Sequence, residues 1–274
     1  MTIVRRSTSP DRRWVLVIPL FVLIVVAVAG LVRQRYAEPG AAPAVTASTP
    51  VEHPAAPSAP SADPPTAQVR TDPVRLVGPV PTRGAGKFGY AVGRGKVLGY
   101  AGPVRRFSVA AERGSGEDVQ AFAAAVEETL GDARSWIGDR EQRFQRVSGA
   151  ERADFTIFLA TRETAGLMCA DGGVDIRAGA KPYTSCRTTG RVIINLDRWR
   201  LSAAPYVFAK VPLTTYRQYV INHEVGHELG RGHQGCPRKG AAAPVMVQQT
   251  LSLRGCAPYA WPRKGNRPYA GPSL

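Results

Sequence analysis

Eleven consecutive residues, His223-Glu224-Val225-Gly226-His227-Glu228-Leu229-Gly230-Arg231-Gly232-His233, hold three of the chain's four histidines at the spacing H-E-x-x-H-x-x-G-x-x-H. Residues four apart on an α-helix share one face, so His223 and His227 can reach one metal ion from adjacent turns. Glu224 lies about 100° round the helix from the first ligand. It is placed to take a proton from water on the metal without ligating. Gly230 can adopt the left-handed conformation that ends a helix without a Cβ penalty, and the chain then turns back to bring His233 to the same ion. Three protein ligands leave a fourth position open, as in catalytic rather than structural zinc sites, and zinc lowers the pKa of water there to about 7. The spacing therefore predicts a helix near 214–229 and one catalytic Zn2+ held by His223, His227 and His233, with Glu224 as general base. Thr214 or Thr215 is the expected N-cap. Gly226, unfavourable inside a helix, is expected where another element approaches closely behind the metal.

The N-terminal quarter has a different composition. Trp14 to Val32 is a run of 19 residues without a charge, about the hydrocarbon thickness of a bilayer if helical. Arg5, Arg6, Arg12 and Arg13 precede it, so residues 1–13 are expected as a cytoplasmic basic tail and the C-terminal part outside. Two readings of 14–32 stay open. Its length favours an uncleaved membrane anchor, whereas Ala27-Val28-Ala29 resembles a small-residue cleavage site that would release a secreted protein. Residues 33–74 are expected as a linker. From 37 onward they contain nine prolines and many alanines, a composition that behaves as a semi-rigid spacer. Residues 75–274 are left as the folded domain, long enough to bury one sizeable core.

All four cysteines, Cys169, Cys186, Cys236 and Cys256, fall in that domain. Outside the cytoplasm an even count suggests disulfides, and four cysteines allow three pairings. The sequence-local choice is Cys169–Cys186 with Cys236–Cys256. The competing reading makes Cys236 a metal ligand, where it would crowd a set already complete. The formal net charge is +15, with 29 basic against 16 acidic residues in 75–274. No Arg-rich run with interleaved aromatics accompanies it, so no nucleic-acid partner is expected. Anionic envelope polymers or lipid head groups suit the charge better, beside a dispersed solubilising surface.

Periodicity sketches the rest of the domain. Residues 84–103, rich in glycine, are expected as a loose hairpin. Arg105–Ala111, Asp154–Ala160 and Arg191–Leu196 read as strands. Ser115 is expected to cap a helix starting near Glu117, with Val119, Phe122, Ala123, Val126 and Leu130 as its apolar stripe. Leu167–Arg187 has no clear period and reads as a loop, pinned if Cys169 and Cys186 pair, and able to rim a cleft. Asp171 and Asp175 are too sparsely placed for a calcium site and are expected on the surface.

The eleven-residue run resembles the metzincin clan of zinc peptidases, which also carries a methionine in a tight turn beneath the metal. In Ala243-Pro244-Val245-Met246-Val247-Gln248-Gln249 the natural candidate is Met246. Tyr216 to Asn222 running into His223, Cys236-Pro237, Pro244-Val245-Met246 and Gly255-Cys256-Ala257-Pro258 before Trp261-Pro262 are similar to a family of uncharacterised zincin-like domains. That family belongs to secreted or membrane-anchored actinobacterial proteins, and the similarity runs over roughly 85–265. The resemblance implies an α+β, zincin-like fold: a twisted sheet, an active-site helix and a small C-terminal subdomain carrying the Met-turn. Cys236–Cys256 would then brace both sides of that turn. It also implies hydrolysis of a peptide or protein substrate. A non-catalytic zincin scaffold binding an envelope component and a wall-peptide amidase are the alternatives. Some metzincins place a tyrosine two positions after the methionine; here that residue is Gln248.

Overall fold

The computed structural model describes residues 72–274. The expected anchor or signal segment 14–32, the basic tail, His53 and most of the 33–74 linker lie outside the described residues. No helix among the described residues is long and apolar enough to cross a membrane.

Three short apolar strands form the centre of a twisted sheet of seven. β3 (Val104–Glu112), β5 (Phe155–Ala160) and β9 (Arg191–Asn195) run parallel, with Phe107 opposite Phe155 and Ile157 opposite Val192. β4 (Arg143–Arg146) adds to β3 in parallel, and β2 (Val97–Leu98) joins β4 antiparallel. β1 (Phe88–Tyr90) pairs antiparallel with the end of β3. The opposite edge is β8 (Cys186–Thr188), antiparallel to β9. The fold is therefore α+β with a mixed sheet.

Side-chain alternation divides the core in two. Phe107, Val109, Phe155, Ile157, Val192 and Ile194 face one layer, where helix α1 (Val119–Gly131) packs with Phe122, Val126 and Leu130, and helix α5 (Leu213–Glu228) with Tyr216, Tyr219 and Val220. Ala110, Phe158, Ala160 and Ile193 face the other, covered by Ala165 and Cys169 of helix α2 (Arg162–Asp171). Two short helices, α3 (Leu196–Leu201) and α4 (Ala204–Phe208), lead from β9 into α5. A 3₁₀ turn (Trp136–Asp139) joins α1 to β4. Beyond α5 the chain folds through turns held by two isolated bridges and two short antiparallel strands, β10 (Arg263–Lys264) and β11 (Arg267–Pro268).

Several local expectations are corrected. Residues 84–103 do not form a hairpin: β1 pairs with β3 and β2 with β4, because longer partners offer each a full ladder. The cap of α1 is Asp118, whose carboxylate accepts from Ala121 N at 2.7 Å, while Ser115 Oγ accepts from Glu117 N just upstream. Neither Thr214 nor Thr215 caps α5, which starts at Leu213. Thr214 N instead donates to the carboxylate of Asp72 at 3.2 Å, and Leu213 N to Pro73 O, so the end of the expected linker is tied to the domain. Leu167–Arg187 opens as helix rather than loop. α2 buries only Ala165 and Cys169, too narrow a stripe to stand out as a period. After it the chain makes a small hairpin of β6 (Arg177–Ala178) and β7 (Lys181–Pro182). Asp171 and Asp175 are exposed and pair with Arg191 and Arg177.

Candidate metal centre

Helix α5 presents His223 and His227 one turn apart, with their Nε2 atoms 3.2 Å from each other. The helix ends where the sequence placed its stop. Gly230 has φ +80°, Gly230 N donates to His227 O, and Arg231 N donates to Gly226 O. These two bonds make a Schellman motif. The reversal carries His233 back, so that its Nε2 lies 3.1 Å from that of His227. The three ligand atoms all lie within 4.8 Å of one another.

Two of the rings are oriented from behind. His223 Nδ1 donates to Val245 O and His227 Nδ1 to Arg231 O, each at 2.8 Å. A carbonyl can only accept, so the proton sits on Nδ1 and the Nε2 lone pair points inward. The 3.2 Å approach of these two Nε2 atoms is therefore not a hydrogen bond; it sets two acceptors face to face. A cation between them could satisfy both lone pairs. A tetrahedral ion with zinc–nitrogen bonds of about 2.05 Å places its nitrogens about 3.3 Å apart, which the observed spacings fit. The surroundings of all three rings favour the neutral form. Burial, then the neighbouring imidazoles, pushes His223 down to about 3 against the opposing Val245 contact. His227 is lowered by burial and by His233, and His233 by burial and by Arg254.

Glu224 is 5% exposed and lines the same cleft of about 310 Å³ as the three histidines. Burial pushes its carboxyl up to about 8. A dication at the imidazoles would pull in the opposite direction. Arg187, from edge strand β8, also lines the cleft and donates to Glu228 at 2.6 Å. The lining also includes Val174–Ile176 and Thr184–Ser185, from the segment expected to rim the cleft, and Gln248 and Thr250 from beyond the histidines.

Met246 lies behind the helix, 2% exposed. A Cβ built on Gly226 would fall 2.5 Å from its Sδ and 2.7 Å from Trp136 Cζ2. This is the close approach that a glycine at this position implied. Met246 O accepts from Gln234 N, next to His233. Thus 245–246 holds the ring of His223 and the backbone next to His233. The cysteines pair as Cys169–Cys186 and Cys236–Cys256, so Cys236 belongs to a disulfide and not to the histidine cluster.

Other supports were not evident from the sequence. Asn222 receives Ser135 Oγ at 2.7 Å and donates to Ala260 O at 3.1 Å, while its backbone carbonyl accepts from Trp136 Nε1. Buried Gln249 receives Tyr206 O–H and donates to Tyr259 O, each at 2.8 Å. Its sequence signal was only its place at the end of the candidate Met-turn run, 243–249.

A family model described as "Protein of unknown function (DUF3152)" matches residues 76–263. The chain belongs to this family. The DUF3152 span takes in the three histidines, Glu224, Met246 and all four cysteines. Neither a curated protein nor a solved structure matches the chain.

Proposed function

We propose that this chain is a zinc-dependent peptidase working outside the cytoplasm, on a zincin-like fold with α5 as active-site helix and 243–249 as Met-turn. One observation carries the reading: three imidazole Nε2 atoms converge with two lone pairs fixed inward, and Glu224 opens onto the same cleft. Three neutral nitrogens suit zinc. When bound, zinc supplies Lewis acidity that polarises a peptide carbonyl and acidifies water.

The chain's own residues do the remaining work. Glu224 accepts a proton from the attacking water as its oxygen joins the carbonyl carbon. It then passes that proton to the amine nitrogen as the C–N bond breaks, leaving one carboxylic acid and one amine. The Val245 and Arg231 carbonyls hold the ligand rings in their tautomer and orientation. With Gln248 where a tyrosine stands in some metzincins, no phenol from that turn serves the oxyanion. The substrate is a peptide or protein. The two disulfides favour an oxidising compartment, and segment 14–32 supplies either a membrane anchor or a cleaved export signal. The net charge of +15 suits contact with anionic envelope polymers.

The test is metal analysis and a peptide-library digest with the full chain. One zinc per chain is expected, with cleavage lost on chelation. Glu224→Gln should keep the zinc and lower kcat/KM by about 10²–10⁴-fold. Cleavage at the wild-type rate by Glu224→Gln, or by chain stripped of metal, would overturn the proposal.

A further inference from the structure

Arg198, on α3, is 8% exposed and its Nε is buried with no hydrogen-bond partner among the described residues. Its guanidinium lies 4.1 Å above the ring of Tyr183. Neighbouring arginines are served differently. Arg162 has Asp197, Arg187 has Glu228, Arg200 has Glu117, and Arg217 donates to Trp199 O. Arg198 forms no ion pair among the described residues. A largely desolvated guanidinium without a counter-charge is costly, and it is a ready partner for a planar carboxylate.

Arg198 sits one layer behind the lining of the metal cleft, and its neighbours adjoin residues that do line it. Tyr183, beneath it, runs directly into Thr184 and Ser185, which line the cleft. On the other side Tyr216 O–H pairs with Thr250 Oγ1 at 2.9 Å, and Thr250 lines the cleft too. The positive charge of Arg198 reaches the Tyr216 phenol, drawing it down against burial. Tyr216 precedes His223 by seven residues, roughly 10 Å along the helix axis. At about 3.4 Å per residue of extended peptide, that is a few positions from the metal, or fewer with a long side chain.

We infer that Arg198 anchors a carboxylate-binding subsite where Thr184, Ser185 and Thr250 line the cleft, so that the peptide taken there is acidic at the position it presents to α3. The inference rests on the cleft being a peptide site, as proposed above. The carboxylate can belong to a side chain or to a peptide C-terminus.

The probes are an acetylated, amidated hexapeptide with one glutamate moved through each position, its glutamine counterpart, and the glutamine peptide with a free C-terminus. Binding to the full chain is measured by calorimetry after the metal is stripped, which removes any metal–carboxylate bond. At least one carboxylate-bearing peptide should bind about tenfold or more tightly than the glutamine amide, and the one that does identifies the source. Arg198→Met, which keeps the stem packing, should erase the difference; if it does not fold, Arg198→Lys should shrink it. Equal binding of all peptides to the wild type, or a preference undiminished in the variant that folds, would overturn the subsite. Failure of the metal-loaded chain to cleave any peptide would instead overturn the peptidase reading, and the calorimetric comparison would still decide this one.

Discussion

Gly226 sits where helix propensity and packing oppose each other. Alanine is favoured over glycine inside a helix by roughly 1 kcal/mol. Its methyl would meet Met246 Sδ at 2.5 Å and Trp136 Cζ2 at 2.7 Å, neither tolerable without movement. Overpacking of this kind costs about 1–3 kcal/mol, so packing wins. Gly226→Ala should destabilise the domain by up to about 2 kcal/mol in a denaturant melt and weaken zinc binding, because Met246 moves with Val245, whose carbonyl holds His223. A more stable variant with unchanged zinc affinity would show that the turn does not press on the helix. The same residue marks a limit of the sequence. Its spacing called for a close approach, but the identity of Trp136, ninety positions upstream, depends on how the 3₁₀ turn docks.

At the level of elements, α4 and α5 are joined to the 247–250 segment through three buried phenols. Tyr206 donates to Gln249 Oε1 and Tyr219 to Val247 O, while Tyr219 also accepts from Gln249 N and Tyr216 pairs with Thr250. Their rings pack at centroid distances of 5.0–5.8 Å. Burial raises all three phenols above their ordinary value of 10.0. Above pH 10 the unfolded chain loses these protons and the folded chain keeps them. The stability they contribute is thus fully present below pH 10.0 and lost as pH rises. Guanidinium melts from about pH 9 to 11 should show a falling midpoint, shallower in Tyr206→Phe, since each released proton is worth up to about 1.4 kcal/mol per pH unit. Equal slopes for wild type and variant would place Tyr206 outside this effect. Periodicity put Tyr216 and Tyr219 in a helix but did not reveal that their hydroxyls hold the turn, because the partners lie 28 to 34 residues later. α2 was missed for another reason: a helix burying only Ala165 and Cys169 carries too little apolar pattern to declare itself.

For the molecule as a whole, each disulfide closes a segment that contributes to the cleft lining. Cys169–Cys186 ties α2 to edge strand β8 around the 174–176 wall, and Cys236–Cys256 brackets the segment that supports His223. Loops of 17 and 20 residues are each worth about 3 kcal/mol in the chain-entropy model. Replacing Cys236 and Cys256 together with serine should lower Tm by roughly 6–12 °C for a domain of this size and reduce zinc affinity. An unchanged Tm and zinc affinity would make that bridge incidental.

The sequence by itself pointed to the clustering of His223, His227 and His233, the helix stop at Gly230, the three central strand segments and the local cysteine pairing, because each depends on spacings within about twenty residues. Only the tertiary structure decided which carbonyls orient the imidazoles, what fills the space behind Gly226, and where the 88–98 strands pair. It also decided that Arg198 is buried without a counter-charge among the described residues. Those contacts join residues far apart in the chain, and hydrogen bonding and desolvation depend on what the fold brings within a few ångströms.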